Sequence, residues 1–145
     1  MAYTHQAKTR FNVTAWSEAA FVDIDGAGTT VGDLYYPTRG LSRADVTYTY
    51  SGEMEGTSTV AYLISYKDGA APIVGFERFE GTIGGHDGSC VLRHVGSHTG
   101  EGVEATVEVV LGMGTGGLTD LRGEAELGIA GHSDDGYELV FSYEL

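Results

Sequence analysis

The chain has one cysteine, two prolines and eight basic residues, and each scarcity closes off a class of protein. A lone thiol, Cys90, forms no internal disulfide, so a core must hold the fold. Two prolines against 23 glycines, with the intervening segments rich in Val, Tyr, Phe and Thr, argue for tight turns and bulges rather than disorder. Eight Lys and Arg against 21 Asp and Glu leave a net charge of −13, which repels phosphate backbones and anionic lipid surfaces. No nucleic-acid or membrane partner is therefore expected. No apolar run approaches the ~18 residues that cross a bilayer as a helix. Residues 1–10 carry no apolar stretch of the signal-peptide kind, so the expectation is a cytoplasmic protein in which Asn12-Val13-Thr14 is not a glycosylation signal. At 145 residues, one domain over 1–145 with one core is expected.

What the chain has is alternation. Val46-Thr47-Tyr48-Thr49-Tyr50, residues 103–109 and residues 137–143 repeat apolar and polar residues with period two, the mark of strands covered on one side. Strands are predicted at 8–16, 44–52, 56–67, 72–84, 89–98, 102–111, 123–130 and 136–144, with almost no helix. Short connections after the second strand make neighbours antiparallel, and eight such strands close into an all-β, eight-stranded antiparallel up-and-down β-barrel.

Two turns set the expected register. Asp68-Gly69 as a two-residue turn puts Tyr62 opposite Gly75 and Val60 opposite Glu77. Asp87-Gly88 in the same role puts Gly81 opposite His94 and Glu77 opposite His98. One face then carries Val60, Tyr62, Ile64, Tyr66, Ile73, Gly75, Glu77, Phe79, Ile83, Cys90, Leu92 and His94; being the more apolar, it is placed inside. Barrels of this size are either filled by their own side chains or hold one small ligand. The inward tyrosine hydroxyls favour a ligand, since Leu, Ile and Phe would suffice for packing.

Glu77 is the first candidate for chemistry, because a carboxylate stripped of water inside a barrel is poised to exchange protons as a general acid or base. His94 on the same face can share or orient its proton, and Tyr62 can polarise a carbonyl. The alternative is a satisfied polar pair, Glu77 with His94 or His98, that only fixes register. Cys90 is expected to pack as a small inert thiol, since only His94 is near enough in sequence to activate it. No metal is expected. His94 and His98 lie ~13 Å apart along a strand, and His86-Asp87 and His132-Ser133-Asp134-Asp135 fall in predicted turns. Gly112 to Gly117 matches G-x-G-x-x-G but precedes another strand rather than a helix, so it is expected to be a structured loop without a nucleotide, and no cofactor is expected. The irregular segment from Thr29 to Arg43 is a candidate lid in which Tyr35, Tyr36 and Arg39 cap the mouth and hold an anionic or carbonyl group; a surface flap or an oligomer contact is the alternative.

Phe11 with Trp16, Ser51-Gly52-Glu53-Met54-Glu55-Gly56, Val74-Gly75-Phe76-Glu77-Arg78-Phe79-Glu80-Gly81, Gly84-Gly85 with Gly88-Ser89, Leu92 with His94, and residues 112–123 resemble a bacterial domain-of-unknown-function family, number 3224. The likeness covers residues 41–145 most closely, and its members look like allene oxide cyclase barrels. That resemblance implies a cavity for a hydrophobic or polyketide-like small molecule and its cyclisation or isomerisation by shape and acid–base groups, with Trp16, Tyr48, Tyr50, Tyr66, Phe79 and Phe141 shaping the pocket. It also implies possible homo-oligomers. The chain departs from the family pattern in a longer segment 24–40, in Met113 where serine is usual and in Cys90 where phenylalanine is expected; the longer loop and the smaller Cys90 side chain would make room for a ligand. The competing expectations are a non-catalytic carrier barrel and a filled barrel acting through its surface.

Overall fold

The computed structural model describes residues 3–99, 102–130 and 135–145, and it gathers the alternating segments into one curved sheet. In chain order the strands are β1 (His5–Asp23), β2 (Gly28–Val31), β3 (Leu34–Pro37), β4 (Gly40–Gly52), β5 (Met54–Tyr66), β6 (Ala71–Ile83), β7 (His86–Thr99), β8 (Gly102–Val109), β9 (Thr115–Gly116), β10 (Arg122–Ala130) and β11 (Tyr137–Glu144). Eight of them, β1, β4, β5, β6, β7, β8, β10 and β11, each pair antiparallel with the next, and β11 returns to β1. The result is the expected closed up-and-down barrel, its β10–β11 seam paired over Arg122–Glu124 of β10. Among the described residues there is no helix, and so none long and apolar enough to cross a membrane.

The first hairpin has the expected register, with Val60 opposite Glu77 and Tyr62 opposite Gly75. The second does not. Its turn is Gly84-Gly85, where φ values of 57° and 86° suit a two-residue turn needing positive φ at both central positions. Asp87-Gly88 would have put a side chain in that strained region, and instead His86 and Asp87 begin β7. The pairing therefore moves by three residues on each strand, setting Gly75 opposite His94 and Glu77 opposite Leu92. The shift preserves parity, so every inward residue stays inward while His98 moves away from Glu77 to face Ala71. The segment read as an irregular lid contains the β2–β3 hairpin, turning at Gly32-Asp33.

β1 contains the irregularity that matters most. Ala7, Thr9 and Phe11 point inward, but a bulge between Val13 and Ala15 reverses the parity and turns Trp16 and Glu18 toward the interior.

Side chains fill the barrel through its middle. Phe11, Tyr48 and Phe79 have no accessible surface, so no water-sized void lies beside them. Each large apolar side chain buried here contributes roughly 1.5–3 kcal/mol. At one end the glycine-rich loop before β10 acts as a plug: Thr115 and Gly116 pair with Ser89 and Gly88, and Leu118 and Leu121 are buried in the core. At the other end lie the 66–71 turn, the end of β7 and the β2–β3 hairpin, and there the barrel is open.

Candidate functional site

Four adjacent strands place five polar groups in one buried chain. Tyr50 comes from β4 beside Tyr48; β5 supplies Tyr62; Glu77 on β6 and His94 on β7 sit diagonally across one register step. Tyr50 Oη donates to Glu77 Oε2 at 2.6 Å, and Glu77 Oε1 lies 2.7 Å from His94 Nε2. His94 Nδ1 lies 3.2 Å from Tyr62 Oη, which lies 2.7 Å from Tyr48 Oη. All five residues are at most 2% exposed. Gly75 makes the arrangement possible, because a Cβ there would stand 2.7 Å from Tyr62 Cδ1.

The partners determine what this chain of groups does. An ionised Glu77 accepts from Tyr50 and from the Nε2–H of a neutral His94, whose Nδ1 accepts from Tyr62, which accepts in turn from Tyr48. Every donor then points toward the carboxylate. The imidazole thus joins Glu77 to Tyr62 by a continuous hydrogen-bonded path. Burial is the largest cause holding the hydroxyls of Tyr50 and Tyr62 well above the ordinary phenol range, followed by Glu77 for Tyr50 and by Tyr48 for Tyr62.

A second set of groups lines the open end. Trp16, Glu18, Val31, Leu34, Tyr36, Tyr66, Ala71 and His98 are among the walls of a pocket of about 870 Å³. Glu18 is held at both oxygens: Trp16 Nε1 donates to Oε1 at 3.0 Å and Tyr66 Oη to Oε2 at 2.5 Å. The Trp16 ring also stacks on Tyr62, centroids 6.3 Å apart, so one indole separates the pocket from the buried chain.

The sequence profile of a family described as "Protein of unknown function (DUF3224)" matches residues 7–141. The chain belongs to the DUF3224 family. A solved crystal structure of a DUF3224 protein of unknown function from Shewanella oneidensis MR-1 is similar to it, with a TM-score of 0.67 and 26% identity over 96% of this chain and 95% of that one. No curated protein matches this DUF3224 chain.

The residues singled out in this DUF3224 sequence divide into four groups. Glu77, His94, Tyr62, Tyr48 and Tyr50 come together in the buried chain; Trp16, Tyr36 and Tyr66 line the mouth. Phe79, Cys90 and Phe141 pack rather than line a pocket: Phe79 stands edge-on to Tyr50 and opposite Cys90, and Phe141 stacks on Tyr143. Burial, with the charge of Glu77, pushes the Cys90 thiol up to about 12, which keeps it protonated and inert. Tyr35 and Arg39 are corrected outright. Tyr35 alternates with Tyr36 along β3 and donates instead to Asp23 Oδ2 at 2.5 Å, while the Arg39 guanidinium grips Asp25 with bonds of 2.7 and 2.6 Å on the exposed surface. Neither caps the mouth.

Glu18 is the residue that sequence reasoning missed, because uninterrupted alternation from Ala7 would have turned it outward. Its signal was Trp16 two residues earlier on the same face. Among the described residues no three His, Cys, Asp or Glu side chains cluster as a metal site, and the His132 to Asp134 turn lies outside them.

Proposed function

We propose that this chain binds a hydrophobic small molecule, and that the ligand sits at the barrel mouth rather than deep in its interior. The observation that carries the proposal is the pocket of about 870 Å³, walled by Trp16, Leu34, Tyr36, Tyr66 and Ala71 around the anchored carboxylate of Glu18. Pockets of ~300–1,000 Å³ with apolar walls and a few fixed polar groups are what small-molecule sites look like. Trp16 is the only tryptophan, so its fluorescence reports occupancy without a label. Titration with N-phenyl-1-naphthylamine, a neutral hydrophobic fluorophore, is expected to quench Trp16 saturably, and Leu34→Asp is expected to abolish the effect. A linear, unsaturable response from the intact protein rejects the proposal.

The unbroken hydrogen-bonded path from Glu77 to Tyr62 favours a second, catalytic reading. In it the barrel serves as an allene oxide cyclase-type vessel: the pocket holds a flexible substrate near its reactive shape, Trp16 swings aside, and Tyr62 delivers or takes a proton through His94 and Glu77. Glu77→Gln would then lower kcat on a bound substrate at unchanged KM; an unchanged kcat leaves the barrel a carrier.

A further inference from the structure

The charge class of the ligand follows from what the mouth offers and what it withholds. A negatively charged ligand would need a cation aimed into the pocket, and among the described residues the one Lys or Arg lining it is Lys67. Lys67 lines the rim, but its Nζ donates to the Asp68 carbonyl at 2.9 Å, and Arg39 is held outside by Asp25. Deeper than that rim ammonium, the pocket holds the carboxylate of Glu18. Glu18 is fixed by one hydrogen bond to each oxygen, and each oxygen keeps a lone pair for a further donor or a positive charge.

The walls around that carboxylate are aromatic and turned at steep angles to one another. Tyr36 and Tyr66 meet edge to face at 5.8 Å and 68°, and Tyr66 and His98 at 6.1 Å and 78°, with Trp16 bonded to Glu18. In an edge-to-face pair at least one ring keeps both faces clear of its partner, and a cation over such a face is attracted by the ring quadrupole. A net charge of −13 draws cations toward the molecule from a distance.

We propose that the mouth pocket binds an organic cation, a quaternary or protonated tertiary ammonium group on an apolar body, with the charge between Glu18 and the rings of Trp16, Tyr36 and Tyr66. The inference rests on the small-molecule reading above and names its ligand class.

Three probes of one shape test it by Trp16 fluorescence: choline, its neutral carbon isostere 3,3-dimethylbutan-1-ol, and the anion 3,3-dimethylbutanoate. Choline is expected to bind at least about tenfold more tightly than the alcohol. Glu18→Gln is expected to remove most of that preference while leaving the affinity for the alcohol within about twofold. Tyr36→Leu, which keeps an apolar wall but loses a ring face, is expected to weaken choline selectively and guards against a folding defect in the first variant. Equal or tighter binding of the alcohol or the anion overturns the cation assignment and leaves the small-molecule reading intact. Failure of all three probes together with N-phenyl-1-naphthylamine overturns both.

Discussion

At the scale of single residues, direction matters as much as contact. With His94 donating to Glu77, the phenols donate in sequence from Tyr48 to Tyr62 to His94, so the two tyrosines are not equivalent. Tyr48→Phe removes only the terminal donor and is expected to cost about 1 kcal/mol, because Tyr62 still donates to His94. Tyr62→Phe strands both His94 Nδ1 and the Tyr48 hydroxyl without partners and is expected to cost about 2–4 kcal/mol. Urea unfolding midpoints at unchanged slope measure both. The opposite ranking would mean that the protons point away from Glu77. The inward placement of Glu77, His94 and Tyr62 was readable from parity alone, because a turn moved equally on both strands changes the partner and not the face. The partner was not readable, because Gly84-Gly85 and Asp87-Gly88 are both acceptable turns on local grounds and only the folded sheet chooses between them.

At the scale of elements, β6 is the strand that adapts to its neighbours. Gly75 lies under the Tyr62 ring, and a methyl group there would also come within 2.5 Å of the Ala61 carbonyl. Gly75→Ala is expected to destabilise the protein by about 1–3 kcal/mol through overpacking. It should also push Tyr62 off His94, seen in a crystal structure of the variant as loss of the 3.2 Å contact; a variant of full stability with that contact intact would show that the ring has room to spare. Elements with clean alternation, such as β4, β5 and β11, were legible because burial on one face writes itself into the sequence. Two elements were not. The bulge in β1 leaves no mark in Val13-Thr14-Ala15, so nothing in the alternation pointed to Glu18, and the short β2–β3 hairpin, with Leu34, Tyr35 and Tyr36 in succession, lacks the period that would reveal it.

At the scale of the whole molecule, the buried hydroxyls give stability a dependence on alkali. Burial is the largest cause raising Tyr48, Tyr50, Tyr62 and Tyr66 above the ordinary phenol value of 10.0, and Cys90 rises from 9.0 to about 12. Below pH ~8 both folded and unfolded chains keep these protons and the contribution is constant. Above it the unfolded chain begins to release protons that the folded barrel retains, so stability falls as pH rises. The urea midpoint is expected to decline steeply above pH ~10, with the buried fraction of tyrosinate absorbance appearing only as the barrel unfolds. Titration of all nine tyrosines near the ordinary value in a barrel that stays folded would contradict this.

The pairing of β1 with both β4 and β11 also sets a timetable. Once β4 has docked, the other side of β1 waits for β11, and the 85 positions from Gly52 to Tyr137 take roughly 4–17 s to synthesise at about 5–20 residues per second. For those seconds β1 is a bare template on which another nascent chain could pair. Lys8 and Arg10, two of the eight basic residues, lie along that strand, and in the finished barrel Arg10 meets Glu138 of β11 at 3.0 Å. The same side chains that greet the last strand therefore stand guard over the edge until it arrives.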